Sequence, residues 1–501
     1  MLEICAQFFH HLNSSGVLYC HWKSNRNLEM SLAGKTDLDL LVDPASRQLF
    51  EQSLAFFGMK RLDAPPGKAF PGLEDYLGFD YATGALIHLH VHYALVMGEK
   101  FIKNHRLPLE RLFFNHLVLS PQGIWIPCPE LELIVLVLRA HMKTDLASLV
   151  KLRIKESLGE PYNPFPDHIL QELLELTGNS DLEKARDIYR ESDLPLAPEL
   201  IFDFIRDVRG GTLRAGALLR GKARILFGLR GYARENIPAS YVKYAVQYLR
   251  RLPLMPRYSP KKTVSGGGRV FALVGADGAG KSSLVQDLDR WLSWKVQTRR
   301  VYLGIPKDGV VHAGFALARR LAGLGLRPWA GALEALLWLV VARRRRAVSL
   351  RASRLAAAGE IVLSDRFPME EFNCMPLPMD GPRLGNSGSR FADLEASLYR
   401  QLARPDRILV LKADLEALRK RKADLPLEAH LQKVRAVNAI AEKGDTLAVD
   451  AMRGYQEVLL DVKRLVWRAL SGDDATAAYL NAPSSVPTVR GEAAGIASAP
   501  C

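Results

Sequence analysis

The stretch VGADGAGKSSL, residues 274–284, limits this 501-residue chain more tightly than any other. Gly275 to Ser282 fit the spacing GxxxxGK[ST]. The apolar run FALV precedes the motif, and Leu284, Leu288 and Leu292 follow at helical spacing. Strand, glycine-rich turn and helix, in that order, give the spacing its physical meaning. The glycines let backbone N–H groups turn inward around phosphate oxygens. The helix start adds unpaired N–H groups and the positive end of its dipole. Gly275, Gly278, Ala279, Gly280, Lys281, Ser282 and Ser283 are therefore the expected phosphate cradle. Lys281 is expected to neutralise β- and γ-phosphate charge, and the Ser282 hydroxyl to ligate Mg²⁺. ATP and Mg²⁺ are the implied cofactors.

A second piece is IVLSDRFP, residues 361–368. An apolar strand ending in an acid can hold Mg²⁺ through Asp365, and Arg366 beside it can grip a phosphate with its planar fork. A third is the basic helical pattern 414–440, where Arg419, Lys420, Arg421, Lys422 and Arg435 form a candidate lid. A solvated basic helix face has the same pattern. Strands are expected at 270–275, 300–304, 360–365, 407–412 and 446–450, with helical patterns between them. That alternation predicts an α/β fold: a parallel sheet with helices on both faces.

The whole chain is too long for one ordinary domain. It is 48% hydrophobic and 24% charged, as a globular protein is. Its net charge of +14 favours acidic partners. From Arg206 to Lys262, fourteen Lys and Arg face two acids, Asp207 and Glu235. A connecting helix with a solvated basic face, a membrane-surface helix and nucleic-acid contact all fit that belt. No nucleic-acid module is visible, so nucleic acid ranks last. The run 342–346, ARRRR, is read as facing an anionic ligand or lipid. The belt ends in LPLMPRYSPKKTVSGGG, which reads as a linker. Four parts follow: 1–200, a basic connector 201–265, the P-loop module 266–470, and an aperiodic tail 471–501. The five cysteines show no metal or disulfide spacing and read as reduced thiols of a cytoplasmic protein. The most apolar run, Trp329 to Ala342, is too short to span a membrane.

With these residues in view, the C-terminal half resembles the thymidylate kinase branch of P-loop kinases. The resemblance rests on DGAGKS with its internal Asp277, DRF at 365–367, PDRILVL at 405–411, the lid-like stretch with Glu428 and Arg435, and VDAMRGYQEV at 449–458. It covers about residues 268–468. It implies transfer of a phosphoryl group from ATP to a phosphorylated acceptor, with Asp277 near the acceptor sugar and Arg366 on the acceptor phosphate. LGIPKDG (303–309) and MDGPRLGNSGSRF (379–391) replace the family's acceptor-shaping segments, and a long insertion runs to about residue 355. A dTMP-like nucleoside monophosphate leads among acceptors, and a sugar phosphate stays open. An NTP-binding regulator or adaptor with little turnover is the alternative class.

The front half carries DLDLLVD (37–43), read as a strand. Asp37 and Asp39 alternate along it, so their carboxylates share a face. Such a pair can hold divalent ions for nucleotidyl transfer. Two solvent-facing acids would look the same. WKSN (22–25), HVHYAL (90–95) and the apolar helix after IPCPE (126–130) bring in a resemblance to a bacterial nucleotidyltransferase-like branch, implying an α+β domain over about residues 10–190. The third carboxylate of that fold is expected at His90. His88, His90 and His92 are expected on one strand face, as core histidines or as metal ligands.

Overall fold

The computed structural model describes residues 1–65, 68–98, 103–144, 146–160, 162–249, 261–305, 309–372, 381–385, 389–421 and 426–472. Lys422, Cys374, Cys501, parts of 303–309 and 379–391, and the tail beyond Gly472 lie outside them.

The fold is α/β, with a mixed N-terminal sheet and an all-parallel C-terminal sheet flanked by helices. The front strands are β1 (Tyr19–His21), β2 (Leu38–Val42), β3 (Lys60–Asp63), β4 (Leu73–Phe79) and β5 (Leu86–His92). Two small hairpins follow: β6 (Leu95–Met97) with β7 (His105–Leu107), and β8 (Leu117–Leu119) with β9 (Trp125–Pro127). The helix Pro129–Lys143 is buried almost all round, its charged Glu130, Glu132 and Arg139 included, because the helices behind it cover it on several sides. Asp167–Asn179, Leu182–Glu191, Pro198–Arg209 and Ala215–Gly228 pack against it.

Part of the segment read as a linker is built into the front sheet. β10 (Thr263–Val264) pairs with β3, and Val264 is buried. The front sheet therefore runs β1-β2-β5-β4-β3-β10, with β2 and β5 parallel and its other pairs antiparallel.

The rear sheet holds β11 (Val270–Gly275), β12 (Thr298–Val301), β13 (Ile361–Ser364), β14 (Arg407–Lys412) and β15 (Thr446–Asp450), in the order β12-β13-β11-β14-β15. β12 begins two residues before the expected 300–304. It is the edge strand, so it keeps exposed Arg299 and Arg300, which pair with Glu360 and Asp289. An apolar-run criterion shifts such a strand toward its apolar end. The insertion forms two helices, Gly309–Gly323 and Arg327–Ala357, packed on each other. Arg345 in its ARRRR run is buried rather than surface-facing: its guanidinium reaches the Tyr399 hydroxyl at 2.5 Å.

The two halves share one core. Leu62, Leu77, Phe79 and Leu86 of the front sheet join the rear cluster of Phe271, Leu288, Val462 and Trp467. Phe79 stacks on Trp467, with centroids 5.7 Å apart. The Arg464 guanidinium donates twice to the Tyr81 carbonyl, at 3.0 and 2.7 Å. No helix among the described residues is long and apolar enough to cross a membrane.

Candidate functional site

β11 ends at Gly275 on the carboxyl edge of the parallel sheet, where open α/β sheets bind ligands. Gly275 has no room for a side chain: a Cβ there would meet the Leu411 carbonyl oxygen of β14 at 2.9 Å. Gly278 and Gly280 both have φ of 91°, a region glycine enters without steric cost. The helix Lys281–Leu292 starts directly from the loop. Its Leu284, Leu288 and Leu292 are buried against the sheet, so the helix start is fixed beside the strand end.

The Lys281 ammonium donates to the carbonyls of Gly275 and Ala276, at 2.8 Å each. Ser282 and Ser283 are exposed and Ala279 is buried. The Ser282 hydroxyl donates to Asp365 Oδ2 at 3.0 Å. The two oxygens expected to share a Mg²⁺ are thus neighbours, although 83 residues separate them. A hydroxyl and a carboxylate this close are the hard oxygen pair that Mg²⁺ takes, so these residues fit that ion.

Asp277 lies at the centre of a cationic ring. Burial would raise its carboxyl, but Lys433, Lys281 and Arg366 outweigh burial and hold it below the ordinary range. Lys433 is buried and paired with Asp277 Oδ2, and Lys281 stands 3.9 Å from its other oxygen. The Arg366 guanidinium lies over the Tyr302 ring, 5.6 Å from its centroid. From the lid candidates, Arg421 Nη1 reaches the Gly278 carbonyl at 3.3 Å. Arg419 and Arg435 are exposed, and Lys420 turns to Glu416 at 2.7 Å.

Sequence reasoning missed Lys433. Its signal was present: it sits four residues from Ala429 and from Val437 on the buried face of the helix Leu427–Ala441. A lone lysine on such a face needs a partner.

The front acids do share a face, but they part company. Asp37 takes Lys295 and His88 Nδ1, the latter at 2.9 Å. Asp39 takes Lys23 at 2.6 Å and His90 Nδ1 at 2.9 Å. The expected third position holds His90, and the residue opposite it on β4 is a carboxylate, Asp75. Asp75 takes Lys262 at 2.7 Å and His88 Nε2 at 3.1 Å. Burial would raise all three acids; their lysine and histidine neighbours prevail, and each is held below the carboxylate range. Asp75, Lys262 and Lys295 were not legible in sequence. The first needed the strand pairing, and the two lysines come from far along the chain, one at the end of the connector and one beyond it.

No model of a known protein family matches the chain. Among curated proteins, it is 33% identical to the uncharacterized ATP-binding protein YghR of Escherichia coli K12 over 219 residues, which is 39% of this chain and 86% of that protein. It is 27% identical to the uncharacterized ATP-binding protein YghS of the same strain over 226 residues, 40% of this chain and 94% of that protein.

Proposed function

We infer that this chain, which belongs to the family of the uncharacterized ATP-binding protein YghR, binds ATP with Mg²⁺ at its P-loop and transfers the γ-phosphoryl group to a phosphorylated small molecule. The observation that carries the reading is the Ser282–Asp365 contact beside Lys281. A phosphate cradle, its lysine and an oxygen pair for the metal converge at one strand edge.

Bound Mg²⁺ would supply charge neutralisation on the β- and γ-phosphate oxygens. Ser282 and Asp365 would hold it. Lys281 exchanges its two loop carbonyls for phosphate oxygens. Arg421, already over the loop at Gly278, adds positive charge where the transferred group carries negative charge. Arg366 holds the acceptor phosphate, with its plane set by Tyr302. An acceptor phosphate oxygen attacks the γ-phosphorus in line. The bond from that phosphorus to the β,γ-bridging oxygen breaks, and ADP leaves. Asp277, held ionised by Lys433, orients the acceptor beside the cradle. A nucleoside monophosphate such as dTMP is the favoured acceptor.

ADP formation by the full chain, measured against a panel of nucleoside monophosphates and sugar phosphates, tests the reading. One acceptor should raise turnover well above the ATPase background. Arg366→Lys should then raise KM for that acceptor about tenfold and leave KM for ATP nearly unchanged, because the charge stays and the fork is lost. ATP binding with no acceptor-dependent ADP would replace the kinase by an NTP-binding regulator.

A further inference from the structure

The front acids raise a question of fit. Paired aspartates on a strand resemble a divalent-metal site, yet each one here already has its own ammonium: Lys295 on Asp37, Lys23 on Asp39, Lys262 on Asp75. A divalent ion would have to displace an ammonium from each carboxylate it used. It would also enter a region that is already cationic, because Lys103, Arg139 and Lys143 all act on Asp39. These residues do not fit Mg²⁺.

Beside the cluster lies a cleft of about 600 Å³, within the size of small-molecule sites. Arg61, Lys68, Lys103, Lys261, Lys262 and Lys295 line it, against three acids, Asp63, Glu74 and Asp75. Asp75 is committed to Lys262, and Glu74 lies 3.2 Å from Arg61. The lining therefore keeps a cationic surplus. Burial first, then neighbouring Lys23, pushes the Lys103 ammonium down to about 8. A partly dry lysine-lined cleft of this kind gains from an anion that brings its own negative charge. Two aromatic side chains add a wall: Phe70, with Lys103 over its ring at 5.3 Å, and Trp294, with Lys295 over its ring at 4.6 Å.

We propose that this cleft is a second, metal-independent site for a phosphorylated small molecule, in which lysines of both halves take the place that metal ions hold in a paired-aspartate site. Lys103 and Arg61 come from the front half, Lys262 from the end of the connector and Lys295 from the rear half. Lys295 lies three residues past the end of the P-loop helix Lys281–Leu292, so the site is complete only when the two halves are packed together. It uses no residue of the P-loop and stands whether or not the rear half is a kinase.

The rival occupant is a transition-metal ion. One ligand atom each from Asp39, His90 and His92 lies within 4.8 Å of the others, and among the described residues neither ring nitrogen of buried His92 has a hydrogen-bond partner, with Nε2 3.7 Å from Asp39 Oδ1. An ion that accepts imidazole suits such a set. Against it, Asp39 Oδ1 already receives Lys23 and His90. His92 also packs edge-on against Trp22, 5.0 Å between centroids, as a core ring does.

The test is calorimetry on the full chain carrying Lys281→Ala, which silences the P-loop, with inorganic pyrophosphate as the probe. In EDTA, pyrophosphate should bind at one site. Lys103→Gln should weaken it about tenfold, as should Lys295→Gln, while Lys103→Arg should keep most of the affinity. Circular dichroism and the thermal midpoint show whether each variant folds. Lys103 lies over the Phe70 ring and, among the described residues, makes no ion pair with an acid, so its variant keeps the test alive should Lys295→Gln unfold. Binding that needs added Mn²⁺ or Zn²⁺ and disappears in His92→Ala would overturn the proposal in favour of the metal. Absence of binding with and without metal would also overturn it, as would binding indifferent to both lysine changes.

Discussion

Around the P-loop, the one run Gly275 to Ser283 supplies the cradle, and Asp365 and Arg366 follow directly on the neighbouring strand β13. Around β2 and β5, the charged groups come from six places: Lys23, the pair Asp37 and Asp39, Asp75, the histidines of β5, Lys262 and Lys295. The bonding differs as well. Lys281 and Ser282 hold loop carbonyls and a lone carboxylate oxygen, partners that a phosphate or a metal replaces atom for atom. The front acids hold full ion pairs, most of them largely shielded from water. Breaking a buried pair leaves an uncompensated charge, at a cost of about 3–5 kcal/mol. The rear cluster is thus poised for ligand exchange, and the front cluster ties the two halves together around a cleft. The comparison predicts that a charge removed from the rear costs activity, and one removed from the front costs stability or moves its pH dependence.

The largest effect is expected at Lys281. Lys281→Ala removes a cation whose interaction grows as charge shifts in the transition state. Phosphoryl transfer should fall by roughly 10²–10³-fold. The thermal midpoint should barely move, because the described contacts of Lys281, with the Gly275 and Ala276 carbonyls and with Asp277, lie within its own loop. Full activity in this variant would remove the kinase reading altogether.

How much of this the sequence discloses follows from the same contrast. The P-loop is contiguous, so its strand, its glycines and its helix were all readable, and β11 lies at the expected 270–275. Asp365 was readable because a strand end has a local signature. Lys433 was half hidden: its helix was visible, but its partner Asp277 is 156 residues away. Asp75 was out of reach, because nothing local says that it faces His90 across β4 and β5. Lys262 sat inside a Pro-, Ser- and Gly-rich stretch that reads as a tether, and only the pairing of the next residues, Thr263 and Val264, with β3 and its own ion pair with Asp75 assign it a place. Local chemistry writes itself into sequence; a seam between two halves does not.

A second, smaller effect separates the regions by the sign of their pH dependence. Asp277 is held below the ordinary range, so its stabilisation is present above about pH 4 and is lost as pH falls through its folded value. Glu132, in the front helix Pro129–Lys143, goes the other way. Burial raises it to about 7, although Asn25 donates a backbone N–H to its Oε1 at 3.0 Å. A raised carboxyl contributes its stability below the unfolded value, and that contribution disappears as pH rises toward 7. The full swing is about 3 kcal/mol. Glu132→Gln keeps an oxygen for Asn25 and removes the charge. In urea titrations, the variant should match the parent at pH 5 and exceed it by about 2 kcal/mol at pH 8. A gap of the same size at both pH values would show that Glu132 does not titrate in this window.

The smallest effect tests whether the basic helix Leu415–Arg421 is a lid or a solvated face. Its neighbouring cations, Lys420 and Arg421, differ in what they touch. Lys420 pairs with Glu416 one turn away, both exposed, an arrangement that contributes about 0.3–0.5 kcal/mol to a helix. Arg421 instead reaches across to the Gly278 carbonyl of the P-loop. Arg421→Ala should lower kcat about tenfold, the loss of roughly 1.4 kcal/mol of transition-state stabilisation, with KM for ATP little changed. Lys420→Ala should leave kcat within about a factor of two. Steady-state kinetics on the two variants side by side decides the matter. Equal and small effects make the whole helix a solvated face. Equal and large effects mean that the stretch acts through its net charge rather than through the one guanidinium over the loop. Only the unequal result fits an arginine placed where the transferred phosphoryl group gathers charge.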